Sequence, residues 1–267
     1  MDETLKDEKN SSYVSRYEDL TERHTTTVIY PDGSGSVREC ALLKEHELTV
    51  IINEQPAFRL ICTKEYLREL VTGRLYTEGI IEKAEDIAEI YFCRYEKEAS
   101  VFIEGDAVLE DSIRKDLSCC AGNIVFKTKN DRIGLKRLSA ADYDPQWVFA
   151  LAERFVNDSG LHGMTQGTHS CILAGKDGFV FSCEDIGRHN AVDKAVGYGL
   201  INNISLNECM LYTSGRVPVD MTEKVIAAGI PVLVSKSVPT AESAALAKEY
   251  GLTLIFRAHP DSFETIM

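Results

Sequence analysis

Residues Phe179 to Gly197, FVFSCEDIGRHNAVDKAVG, pass from β-type residues straight into a segment dense in ionisable groups: Glu184, Asp185, Arg188, His189, Asp193 and Lys194. FVFSCE reads as a strand and a helix is expected from Arg188, so this is a strand-to-helix junction. Such a helix sets His189 and Asp193 on one face at i and i+4, where Asp193 can hold His189 in one orientation. It leaves Ala191, Val192, Ala195 and Val196 for a core. Gly187 lets backbone approach a ligand closely, and the first-turn N–H groups of a helix suit an anion. A bland alternative is an exposed His-Asp pair that supports the helix weakly.

Outward from the junction the alternation continues. THSCILA precedes it, and CMLYT, PVLVS and LTLIFRA follow, separated by helical stretches after Pro218 and from Ala241. Gly229 and Pro231 close the first of these helices, whereas Thr240 caps the second and Gly251 ends it. This is the pattern of an α/β layered domain, expected over 145–267, with a helix through Trp147, Leu151, Phe155 and Val156 at its start. Loops at the strand ends, Thr213–Arg216 and Ser235–Thr240, are natural pocket walls.

The first half reads differently. TTTVIY, the run Arg38–Leu43 and ELTVIINEQPAFRLICT are β-rich, with Asp32, Gly33 and Gly35 supplying a turn, so 23–144 is expected to hold an antiparallel sheet. Lys64–Gly79 carries Tyr66, Leu67, Leu70, Val71, Leu75 and Tyr76 near helical spacing and ends at a glycine. Ala88–Glu104 is strand-like. Ala107–Lys115 is expected to be a short helix leading into DLSCCAGN, which places Cys119 and Cys120 in a loop of small residues. Residues 1–22 are polar and are expected to form a mobile tail.

With 267 residues, 44% of them hydrophobic, the chain can bury a substantial core. No stretch approaches the ~20 apolar residues of a membrane span, and the N-terminus lacks the apolar core of a secretion signal, so a cytoplasmic protein without membrane attachment is expected. A net charge of −13 argues against general nucleic-acid binding. A phosphate-bearing ligand must therefore meet a local basic cluster. The eight cysteines lack the dense pattern of a disulfide scaffold, so reduced thiols are expected. Cys62, Cys93, Cys171 and Cys209 lie in apolar runs and read as small hydrophobes.

The stretches QGTHSCILAGKDGFVFSCEDIGRHNAVDKAVG, LYTSGR and PVLVSKSVPTAESAALAKEYGLTLIFRAHP, together with the cysteine loop, resemble the formate dehydrogenase accessory sulfurtransferase family, FdhD. EDIGRHNAVDK is the sharpest motif. The resemblance implies an α/β fold: a cytidine-deaminase-like, three-layer C-terminal domain plus a β-rich α+β N-terminal domain, in a homodimer. It further implies a sulfur carrier that accepts sulfane sulfur from a cysteine desulfurase as a cysteine persulfide. The sulfur passes to the molybdenum, or tungsten, bis-guanine-dinucleotide pterin cofactor required by formate dehydrogenase.

By the same resemblance Cys120 carries the persulfide, with Cys119 as its rival; relatives often have a Cys-x-x-Cys pair there, and this chain has adjacent cysteines. Phe256, Arg257, Ala258, His259, Pro260 and Asp261 match the segment that contacts the guanine dinucleotide, with Arg257 as a phosphate partner. Arg188, His189, Ser214 and Arg216 complete the expected cofactor-binding set. The chemistry independently asks for a cysteine on a loop, because thiolate sulfur is the nucleophile that accepts a sulfane atom and must reach donor and acceptor. Arg114 and Lys115 are near in sequence and could favour thiolate. The alternative function is a chaperone that binds and delivers finished cofactor without moving sulfur. A zinc deaminase would need a Pro-Cys-x-x-Cys ligand pair, which the sequence lacks, so no metal site and no zinc are expected.

Overall fold

The structure, a computed structural model, describes residues 17–104, 109–115, 124–128, 135–139, 141–157, 160–176 and 178–266. Strands β1 (Thr21–Ile29) and β2 (Gly35–Leu43) form a two-stranded antiparallel ribbon. Its turn follows from the sequence: Asp32 Oδ1 accepts from the Ser34 N–H at 2.9 Å, and Gly33 takes φ +82°. The ribbon begins inside the segment expected to be a tail. Tyr17 and Leu20 are buried against Leu161, so order starts before Glu22.

The N-terminal sheet has the order β5-β6-β3-β4-β8-β7, built from β3 (His46–Ile52), β4 (Gln55–Cys62), β5 (Ile87–Phe92), β6 (Glu98–Ile103), β7 (Leu109–Lys115) and β8 (Ile124–Thr128). The run ELTVIINEQPAFRLICT splits into β3 and β4 at Asn53 and Glu54, both with positive φ, the backbone of a tight hairpin turn. Leu48, Val50 and Ile52 alternate onto one face of the sheet with Leu60 and Cys62. There they meet Leu67, Leu70, Val71 and Leu75 of α1 (Leu67–Thr77). Gly79, at φ +69°, follows that helix.

Over Leu109–Lys115, the described part of the segment expected to be a helix, the chain is a strand instead. This strand, β7, is antiparallel to β8 with Arg114 opposite Val125 and Lys115 opposite Ile124. Leu109 and Ile113 stand four apart, a sequence spacing that fits a helix face and a strand face equally, and pairing with β8 is what the structure shows.

The second sheet runs β10-β9-β11-β12-β13-β14, from β9 (His169–Gly175), β10 (Gly178–Asp185), β11 (Met210–Thr213), β12 (Val232–Ser235), β13 (Thr253–Phe256) and β14 (Glu264–Ile266). β11, β12 and β13 are parallel, and β9 is antiparallel to both β10 and β11. Strand alternation divides its residues between two cores. Cys171, Leu173, Leu211, Leu233 and Leu254 pack with Ala191, Val192, Ala195 and Val196 of α4 (Arg188–Ile201) and with residues of α5 (Val219–Ala227) and α6 (Ala241–Tyr250). Ile172, Tyr212, Val234 and Ile255 pack on the other face against Val148, Leu151 and Phe155 of α2 (Pro145–Asn157). The result is a helix–sheet–helix sandwich in a mixed α/β protein. The six-residue helix α3 (Gly160–Thr165) and the edge strand β14 were not expected from the pattern.

The caps follow their sequence signals. Thr240 Oγ1 accepts from Ser243 N–H while Ser243 Oγ accepts from Thr240 N–H, a capping box, and Gly251 ends α6 at φ +75°. Helix α1 lies between its own sheet and α4, with Gly73 and Gly197 at the crossing. The two sheets are therefore joined through a pair of helices in backbone contact.

Candidate functional site: the strand-end edge of the second sheet

The four strands β10, β11, β12 and β13 point the same way, so the residues after each of them gather along one edge of the sheet. Helices α4 and α5 both start there. This is the edge at which α/β sheets place ligands, because helix N-termini and loops converge outside the carboxyl ends of the strands.

The junction between β10 and α4 lies on this edge, and its charges divide into two groups. Asp185, at the end of β10, is fully buried and saturated. Its Oδ1 accepts from Gly187 N–H and Asn190 Nδ2 at 2.9 Å each, and its Oδ2 accepts from Thr63 N–H at 3.1 Å and Lys194 Nζ at 2.7 Å. Lys194 donates further to Thr63 Oγ1 at 2.7 Å, and Asn190 donates to the Ile61 carbonyl at 2.8 Å. Burial, the largest single influence, pulls the Lys194 pKa down, but the Asp185 carboxylate leads the groups that together outweigh it, and the net direction is upward. These side chains fasten the end of β4 to the first turns of α4.

Asp193 belongs to the same interior group. It accepts from Lys224 Nζ at 2.7 Å and Thr77 Oγ1 at 2.8 Å, with the Arg74 guanidinium 3.6 Å away. His189 instead meets Asp220 of α5, Nε2 to Oδ2 at 3.1 Å. The expected pairing of His189 with Asp193 is thus replaced by two cross-helix pairs. Residues 189 and 193 share a face of α4, 220 and 224 share a face of α5, and the helices lie side by side, so each member finds its partner across the gap.

Arg188 and His189 are both buried. Gly215 of the Thr213–Arg216 loop lies against Arg188, where a Cβ at position 215 would come within 3.1 Å of the Arg188 Cβ. Ser214 is half-buried and joins the loop to β9: its N–H donates to the Ser170 carbonyl and its Oγ accepts from the Ser170 N–H, both at 3.0 Å. Arg216 is exposed.

The next loops are stitched on in turn. Ser235 Oγ donates to the Gly215 carbonyl at 2.9 Å, Ala258 N–H donates to the Ser235 carbonyl, and Arg257 N–H donates to the Ser237 carbonyl. Phe256–Asp261 therefore shares the edge with Arg188, His189, Ser214 and Arg216. Phe256 is half-buried and Ala258 buried, whereas Arg257, His259, Pro260 and Asp261 are exposed. Arg257 takes φ +46° and donates from Nη1 to Glu264 Oε1 at 2.7 Å. Cys119 and Cys120 lie outside the described residues.

Two residues at this edge escaped the sequence reading. Asp220 carried a signal: an acidic residue in the first turn of a helix that leaves a candidate loop. His169, at the start of β9, carried none. Burial first, then the nearby Arg188 guanidinium, lowers its pKa. Among the described residues no cluster of His, Cys, Asp and Glu has the arrangement of a metal site.

Helix N-termini and basic side chains thus share the strand-end edge beside a buried ionic clasp, and comparison with known proteins gives this arrangement a context. The model of the FdhD/NarQ family matches residues 43–266. The chain belongs to the FdhD/NarQ family. Within it, the sulfur carrier protein FdhD of Bacillus subtilis is 30% identical over 242 residues, covering 88% of this chain and 91% of the relative. That of Listeria monocytogenes strain F2365 is 29% identical over 223 residues, covering 81% and 85%. A solved structure described as a formate dehydrogenase accessory protein of Desulfotalea psychrophila superposes with a TM-score of 0.73 at 26% identity, covering 92% of this chain and 96% of its own. The FdhD/NarQ match takes in both six-stranded sheets, so the strand-end edge and the clasp lie within the family's shared body.

Proposed function

We propose that this FdhD/NarQ protein is a sulfur carrier of the kind its relatives are named for, acting in the maturation of formate dehydrogenase. The thiolate of Cys120, or of its neighbour Cys119, attacks the terminal sulfur of a persulfide on a cysteine desulfurase. The S–S bond there breaks, the desulfurase thiolate leaves, and the sulfur now rides on this chain. The S–S bond of this carrier persulfide then breaks, the carrier cysteine leaves as thiolate, and the outer sulfur would pass to the metal of a molybdenum, or tungsten, bis-guanine-dinucleotide pterin, the substrate rather than a resident cofactor. The reduced metal of that pterin would supply the two electrons that bring the sulfur to the sulfide level. The protein works in the cytoplasm as a homodimer, with 23–144 carrying the thiols and 145–267 the substrate.

The observation that carries this reading is a family match extending over the Cys119–Cys120 segment and the strand-end edge together. The edge suits an anionic dinucleotide: two helix N-termini, the Arg188 guanidinium with Gly215 packed against its side chain, and exposed Arg216 and Arg257. In this reading Arg188, His189, Ser214 and Arg216 hold one part of the dinucleotide, and Phe256–Asp261 holds another.

The test is persulfide mapping by mass spectrometry after incubation with a cysteine desulfurase and cysteine. Wild-type protein should gain about 32 Da per sulfur at one of the two thiols, the Cys120→Ser protein should gain none there, and Cys119→Ser should still load. A chaperone that only shelters cofactor would show no added sulfur on either residue, and that result would reject the proposal.

A further inference from the structure

His189 is 3% exposed, its Nε2 faces the Asp220 carboxylate at 3.1 Å, and its Nδ1 is buried with no hydrogen-bond partner among the described residues. A buried ring nitrogen left unpaired costs free energy unless something completes it. The ring sits in the first turn of α4 and Asp220 in the first turn of α5, so the orphan nitrogen belongs to the edge where two helix N-termini and Arg188 meet. Because the carboxylate can only accept, Nε2 must carry a proton, and the neutral ring then has a bare lone pair at Nδ1. A lone pair opposes a phosphate oxygen, whereas an N–H would bind it.

We propose that Asp220 is a positioning residue that holds His189 so that Nδ1 takes up a proton from solvent as a phosphate group docks, giving an imidazolium that donates one hydrogen bond to Asp220 and one to the phosphate. This rests on the reading of the edge as a nucleotide-binding site. The charged and titratable groups around the ring are Asp220 from α5, which meets Nε2 and favours the extra charge, Arg188 beside it on its own helix, which opposes it, Asp193 one turn along the same face, already paired with Lys224 of α5, and His169 from β9. Asp220 is therefore the residue on which proton uptake depends. Its own Oδ1 accepts from the Met221 N–H at 2.8 Å, which fixes the carboxylate on α5.

Calorimetric titration of the full chain with GDP, in buffers of different ionisation enthalpy, tests the proposal. The slope of observed enthalpy against buffer enthalpy counts protons taken up. Wild-type protein should take up about one proton at a pH where the free ring is neutral, and its affinity should weaken as pH rises. Asp220→Asn and His189→Gln should both bind more weakly and lose the uptake, with circular dichroism confirming that each is folded. GDP binding without proton uptake, or uptake that survives in folded His189→Gln, overturns the inference and leaves the nucleotide site standing. No GDP binding by the wild-type protein overturns both.

Discussion

Gly73 of α1 and Gly197 of α4 meet backbone to backbone: a Cβ added to either would lie 2.8 Å from the amide nitrogen of the other and closer still to carbonyl oxygens at Asp193 and Glu69. No rotamer change relieves a clash with backbone, so the two helices, and the two sheets behind them, would have to separate. Gly73→Ala and Gly197→Ala are each expected to destabilise the protein by roughly 3 kcal/mol, the upper end of overpacking costs. Urea unfolding measures this directly. An unchanged midpoint in either variant would show that the crossing can open without cost.

The Asp185–Lys194 pair is wholly buried, and removing one member strands the other. Lys194→Met should cost roughly 3–5 kcal/mol, the range for an uncompensated buried charge, and adding Asp185→Asn should recover part of it. The sign with pH follows from the net upward direction of the Lys194 pKa, in which Asp185 leads the groups that together outweigh burial. The ammonium's contribution is complete below the ordinary lysine pKa and is lost as pH climbs through the raised folded value. The wild-type protein should therefore lose stability at strongly alkaline pH by a component that Lys194→Met lacks.

Glu184 also loses stability with rising pH, but here it is the charged form that the fold disfavours. Burial raises its carboxyl pKa, although the hydrogen bonds it accepts from Thr168 Oγ1 at 2.9 Å and His162 N–H at 2.6 Å pull the other way. The unfolded chain ionises first as pH rises, so ionisation of Glu184 weakens folding from the ordinary glutamate range up to its raised folded value. Glu184→Gln keeps an acceptor oxygen for both donors. Relative to the wild-type protein it should gain stability between pH 4.5 and neutrality, and equal stability differences at both ends of that range would refute the assignment.

Among the six described cysteines, reactivity should follow burial and local donors. Cys62, Cys171 and Cys183 are buried with thiol pKa values pushed far up by desolvation, and Cys209 is pushed up to about 11. Cys93 departs from the expectation of a packed small hydrophobe: it is half-buried in the turn after β5, and the backbone N–H of Tyr95 leads the groups that lower its pKa. Iodoacetamide mapping under native conditions should label Cys93 well ahead of those four, which should react only after unfolding.

The strand and helix alternation from Thr168 onward was legible because each element carries its own period and its own punctuation, down to Thr240 and Gly251 at the two ends of α6. The EDIGRHNAVDK motif was legible as a place of consequence but not as a set of roles. Asp185, Asn190, Asp193 and Lys194 clasp β4, α1 and α5, and only Arg188 and His189 remain beside the loops of the candidate site. Their partners Thr63, Arg74, Asp220 and Lys224 lie between about 30 and 130 residues away along the chain. No local pattern reports such pairings.

By itself the sequence determined the layered α/β second half, the β-rich first half with its single long helix, and the FdhD resemblance, since these rest on residue period, capping and motif identity. Tertiary structure alone decided that Leu109–Lys115 is a strand, that His189 answers to Asp220, and that most of the motif's charge is interior. The reason is physical: a four-residue spacing satisfies two periodicities, and a carboxylate binds whichever donor packing brings within about 3 Å.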